Sequence, residues 1–94
     1  MDQKIIDYLF EKNGNQYNLL KAAEECSELA TVLLQKALKP NKVKDQEILD
    51  EIGDTYIRLE VLKKMFSEQK INERIDYKLS KFKEHKDHKI YEKI

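Results

Sequence analysis

Hydrophobic positions recur along this chain at steps of three and four residues, the period of α-helices buried on one side. Ile5, Ile6, Leu9 and Phe10 share one side of a first helix over residues 3–12, with Asp2 placed to cap it. Asn13-Gly14-Asn15 is a turn signal that ends it. At about 100° per residue, Leu19, Ala22, Cys26, Leu29, Ala30, Leu33 and Ala37 form one broad apolar face of a second helix, residues 16–38. Pro40 cannot continue that helix and pushes Lys39 out of helical geometry. A third helix, residues 45–66, has Asp45 as its expected N-cap and Ile48, Ile52, Tyr56, Leu59, Leu62 and Phe66 as its core stripe; Ile57 and Val61 widen the apolar arc. Ser67-Glu68-Gln69-Lys70 reads as a polar break. Asn72 then caps a last helix over 72–86 with a thin stripe of Ile75, Leu79 and Phe82, followed by a polar tail. Four helices with short links predict a small all-α four-helix bundle, a single domain over residues 1–94.

Five carboxylates interrupt this pattern. Glu24, Glu25 and Glu28 sit at the edge of the apolar face of the second helix, and Glu51 and Asp54 flank the stripe of the third. Spacing of three residues puts Glu25 with Glu28, and Glu51 with Asp54, on one side of each helix. Glu24 and Glu28, four apart, repel by ~0.2–0.5 kcal/mol. Of the five, only Asp54 is followed four residues later by a cation, Arg58. Two antiparallel helices bearing such pairs bring four carboxylates to one level of a bundle. An all-oxygen site of that kind suits Mg²⁺ or Mn²⁺. The alternative is that each pair is a solvated helix face. Gly53, between the acids, costs ~1 kcal/mol against Ala; a close helix approach there explains it, and a chance substitution is the alternative.

Composition sharpens this picture. Two Gly and one Pro in 94 residues leave room for long helices and few turns, and a chain this short has a marginal core of its own. The formal net charge is zero, so bulk attraction to nucleic acid is not implied. Yet residues 1–60 hold 8 Lys/Arg against 12 Asp/Glu, and residues 61–94 hold 10 against 6. An acidic middle and a basic last helix suit a metal with a polyanionic substrate, although a Lys-rich end also simply aids solubility. The single Cys26 permits no internal disulfide, Asp2 and Asp7 interrupt any leader-like apolar run, and no stretch approaches the ~18 apolar residues of a membrane span. The expectation is a cytoplasmic protein without membrane or nucleic-acid partners.

Other chemistries lack their residues. Neither His85 nor His88 has a Glu three positions earlier, which removes the di-iron carboxylate bundle; no Cys/His set has zinc spacing, and no Gly-rich phosphate loop is present. His85 and His88 read as ordinary exposed residues of the tail, and Cys26 as a structural residue of the apolar face. A Mg²⁺ cluster usually serves a phosphate-bearing substrate.

The run Ala22-Ala23-Glu24-Glu25-Cys26-Ser27-Glu28-Leu29-Ala30, followed by Glu51-Ile52-Gly53-Asp54 with 22 residues between Glu28 and Glu51, resembles the E-E-x-x-E … E-x-x-D signature of the all-α nucleoside triphosphate pyrophosphohydrolases, the MazG-like group. The resemblance covers roughly residues 16–85. It implies cleavage between the α- and β-phosphates of a nucleotide, releasing a nucleoside monophosphate and pyrophosphate. It further implies Mg²⁺ held by Glu25, Glu28, Glu51 and Asp54, with Glu24 and Glu25 on the catalytic side as ligand or partner of the attacking water. It also implies phosphate-binding cations on the last helix, for which Lys78 and Lys81 are candidates and Lys21 and Arg58 weaker ones. Assembly as a homodimer or homotetramer would complete the bundle. Gly53 departs from the small apolar residue usual in the group, and there is no Trp to stack a base; Tyr8, Phe10, Tyr17 and Tyr56 could serve, though aromatics on helix faces are more often core. The competing expectation is a non-catalytic helical oligomerisation or interaction module that keeps the fold.

Overall fold

A computed structural model describes residues 1–84 and contains four α-helices: α1 (Gln3–Lys12), α2 (Gly14–Leu38), α3 (Asp45–Phe66) and α4 (Glu68–Glu84). Among the described residues there is no strand, and no helix is long and apolar enough to cross a membrane. His85, His88 and the expected end of the last helix at residue 86 lie outside the described residues.

The joints are tighter than the sequence suggests. Asp2 caps α1 as expected, its Oδ1 accepting from the backbone N–H of Lys4 (3.0 Å) and Ile5 (3.3 Å). One residue, Asn13, separates α1 from α2. Gly14 makes the reversal with φ +80, a conformation that costs glycine little, so α2 starts two residues before the expected Gln16. At its other end α2 stops at Lys39, ahead of Pro40, which opens a 3-10 turn over Pro40–Lys42. Lys36 holds that turn down: its Nζ donates to the carbonyls of Pro40 (3.3 Å) and Val43 (3.2 Å) and pairs with Asp45 (3.2 Å). Asp45 is therefore the first residue of α3 and not its N-cap. The capping position falls to Lys44, whose N–H is accepted by the Glu47 carboxylate at 3.0 Å.

The break before α4 is a single residue. Ser67 adopts φ +74, and its hydroxyl accepts from the N–H of Lys70 at 3.3 Å. Glu68-Gln69-Lys70 is thus the solvated first turn of a helix, not a loop, and α4 begins four residues ahead of Asn72.

α2 and α3 run antiparallel, as their contacts at both Glu25–Thr55 and Lys36–Asp45 require. On α2 the inward positions are Asn18, Ala22, Glu25, Leu29, Val32 and Lys36; on α3 they are Ile48, Glu51, Thr55, Arg58, Leu62 and Met65. Both sets alternate steps of three and four, the spacing of a two-helix seam. α1 closes one end of the seam. Ile6, Asn18 and Val61 are each 1% exposed there, the Asn18 amide donates to the Phe10 carbonyl (3.0 Å), and Asp7 pairs with Lys64. α4 packs mainly against α3.

This seam differs from the expected core. Leu19, Cys26, Ala30, Leu33 and Ala37 on α2, Tyr56, Leu59 and Phe66 on α3, Ile75, Leu79 and Phe82 on α4, and Ile5 on α1 are all exposed. Their helices carry apolar arcs wider than a single neighbour can cover. Among the described residues, the narrower, partly polar flank of α2 is buried against α3 and the wider one is left outside.

Candidate functional site

The shift of the seam moves the acids inward. Glu25 is at the helix interface, with 8% of its surface exposed, and Glu51 opposite it on α3 is half-buried; Glu24, Glu28 and Asp54 are exposed beside them. Carboxylate oxygens of Glu25, Glu51 and Asp54 lie within 4.8 Å of one another across the two helices, and so do those of Glu24, Glu25 and Glu28. Glu25 belongs to both trios. All five sequence-identified acids are therefore brought to one place.

Thr55 sets the level at which they meet. Its hydroxyl lies 2.8 Å from the Glu51 carbonyl in its own helix and 3.3 Å from the Glu25 carbonyl in α2. This is where the helix backbones approach. Gly53 plays no part in it: the residue is exposed, and a Cβ added there meets nothing within 4 Å. The expected link between Gly53 and a close helix approach is thus incorrect.

The electrostatics are unbalanced. Oε2 of Glu25 and Oε2 of Glu51 are buried without a hydrogen-bond partner. A buried acceptor left without a partner costs about 1–3 kcal/mol, more when charged. Burial pushes the Glu25 carboxyl above its ordinary value, the negative charges of Glu28 and Asp54 push it further, and Lys21 offsets only part of this. Lys21 is the one cation paired with the cluster among the described residues, 3.3 Å from Glu24 and 3.6 Å from Glu25. Its hydrogen bond to Glu24 is the main reason that its own pKa is raised. The relief expected from Arg58 does not occur. Arg58 is half-buried in the seam and forms no ion pair within 4.0 Å of Asp54.

The other candidate cations are elsewhere. Lys81 pairs with Glu84 (3.4 Å) and lies 5.0 Å from the Tyr77 ring centroid. Lys78 lines a groove of about 480 Å³ formed by Phe66 and α4. Neither Lys78 nor Lys81 makes an ion pair with the five acids. Of the aromatic candidates, Tyr8, Tyr17 and Tyr56 are exposed and only Phe10 is half-buried, so the three tyrosines are not core.

Two residues of the site region escape a reading by hydrophobic pattern: Thr55 and Asn18. Both are polar residues on the seam. The signal that finds them is the three-and-four spacing, which runs 18-22-25-29-32-36 and includes Glu25 without a gap.

An all-oxygen donor set, two of whose oxygens are buried without hydrogen-bond partners, is the donor chemistry that a hard divalent cation takes. The centre is an acidic one, built between two antiparallel helices of an all-α fold. Comparisons of the chain with protein families, with curated proteins and with solved structures gave no match.

Proposed function

We propose that this chain is a Mg²⁺-dependent nucleoside triphosphate pyrophosphohydrolase of the all-α, MazG-like kind, working as a homo-oligomer. The observation that supports this best is the pair of partnerless buried oxygens, Glu25 Oε2 and Glu51 Oε2, on two residues whose carboxylates come within 4.8 Å of each other and of Asp54. Neutral core packing does not account for two acids there; a cation between them does.

In this reading Glu25, Glu28, Glu51 and Asp54 hold Mg²⁺ (Mn²⁺ fits the same donors). A bound ion would supply charge neutralisation at the phosphates and lower the pKa of a water. Glu24, exposed and tethered to Lys21, takes the proton of the attacking water at its carboxylate, with Glu25 orienting that water. The water oxygen bonds to the α-phosphorus, the bond from that phosphorus to the α–β bridging oxygen breaks, and pyrophosphate leaves. Lys78, Lys81, Lys21 and Arg58 are the candidate phosphate contacts.

A panel of dNTPs and NTPs incubated with Mg²⁺ and analysed for products tests this. Nucleoside monophosphate with pyrophosphate is expected. Orthophosphate release refutes α–β cleavage. No turnover of any nucleotide leaves the second reading, a non-catalytic helical oligomerisation module, which the large exposed apolar surface favours.

A further inference from the structure

Among the described residues, four apolar side chains are buried (Ile6, Ala22, Val43 and Val61), whereas eighteen large ones are exposed. Such a chain lacks the core of a stable monomer. The exposed set is organised. The outward side of α2 carries Leu19, Leu20, Ala23, Ala30, Leu33 and Leu34 and no charge, with the leucines 46–64% exposed. Along one border of that side run Glu24 and Glu28, four residues apart. α4 presents the counterpart. Ile71, Ile75 and Leu79 floor the groove beside Phe66, and Lys70, Arg74 and Lys78, each four residues from the next, form a basic row along one side of it.

We propose that these two surfaces are halves of one interface between two copies of this chain: the leucine ridge of α2 in one protomer seats in the α4 groove of the other. Arg74 and Lys78 then face Glu24 and Glu28 across the rim, matching a ladder of four-residue steps on each side. Counted around each helix, the acidic row follows the apolar face of α2 in one rotational sense and the basic row follows that of α4 in the opposite sense. Such flanks meet when the paired helices run parallel. Pairing α4 with its own copy in antiparallel fashion sets basic row on basic row, which like charges disfavour. The interface supplies the cations that the acidic site lacks among the described residues, so in this respect it rests on the function proposed above.

The test reads molecular mass and needs no catalysis. Full-length protein in EDTA, followed by light scattering across a dilution series, is expected to show the mass of two chains or a multiple. Arg74→Glu/Lys78→Glu and Glu24→Lys/Glu28→Lys should each raise the dissociation constant at least tenfold. Mixing the two variants should restore assembly as a mixed species, because both contacts of the pair are then complementary again. This holds even if either variant is poorly folded alone. A monomer at all concentrations, assembly indifferent to both charge reversals, or a mixture that fails to recover overturns the proposal. Because no step depends on turnover, a protein that pairs this way yet hydrolyses nothing refutes the function and leaves the interface standing.

Discussion

The Thr55 hydroxyl stands between two carbonyls on different helices, 2.8 Å from that of Glu51 and 3.3 Å from that of Glu25. One small polar group thereby fixes the register of α2 on α3 at the level of the acidic centre. Thr55→Val removes the hydroxyl at almost constant volume. It should cost about 1 kcal/mol of stability and weaken Mg²⁺ binding. Denaturant midpoints and calorimetric titration measure the two effects. Thr55→Ser should retain most of both, and a Val variant equal to the parent in both measurements would show that the hydroxyl serves only its own helix.

Removing carboxylates separates catalysis from folding. Glu28→Ala and Asp54→Ala should each abolish nucleotide hydrolysis; Asp54→Ala should leave the metal-free protein as stable as the parent or more so, since it deletes a charge that repels Glu25, and Glu28→Ala should do the same at concentrations where the copies stay paired. Circular dichroism melts beside product assays decide this. Unfolding of either variant in EDTA would make the acids structural.

The pH dependence follows from the direction of the Glu25 shift. Its carboxyl is raised above the ordinary 4.5, chiefly by burial, so the folded state holds this proton more tightly than the unfolded chain does. The stability it contributes is complete below pH 4.5 and is lost as the pH rises through the raised value. Metal-free protein should therefore lose melting temperature across that window, and Glu25→Gln should flatten the loss. Saturating Mg²⁺ should raise the melting temperature most at the upper end, where the carboxylate is free to bind. Asp7 acts with the opposite sign in a separate window. The Lys64 ammonium and the Gln3 amide hold it below its ordinary 3.8, and its contribution is lost only as the pH falls through that lowered value. A melting profile that climbs steadily from pH 4.5 to 8 without metal contradicts the Glu25 assignment.

Gly53 offers a gain. Its surroundings are open and its backbone is helical, so Gly53→Ala adds a methyl to empty space and removes conformational freedom from the unfolded chain. An increase of about 0.5–1 kcal/mol is expected, measurable as a higher denaturation midpoint with hydrolysis unchanged. Destabilisation would mean that a neighbour comes closer at this face in the assembled protein.

The helices and the five acids were legible because each depends on a local signal: period, cap, proline, or three-residue spacing. Helix rotation was not. Leu19 and Leu33 are better core residues by type than Asn18 and Glu25, yet the latter face inward. Hydrophobic content says that a face will be covered but not by what, and on α2 the richest face is not the one that the described residues cover. The joints escape the pattern for a related reason. Glu68-Gln69-Lys70 is as polar as a loop, and what marks it as the first turn of a helix is the bonding of the Lys70 and Ile71 N–H groups back to the Ser67 hydroxyl and carbonyl.

Ser67 has a consequence for the chain's other conformations. A non-glycine residue at φ +74 costs on the order of 1–3 kcal/mol. Rotation of that one residue to helical angles would fuse α3 and α4 into a continuous rod of roughly 60 Å. The elbow therefore stores the alternative of an extended chain whose last helix completes a neighbour instead of leaning on itself. Two backbone torsions of one serine outside the acidic centre are the hinge on which exchange of α4 between protomers would turn.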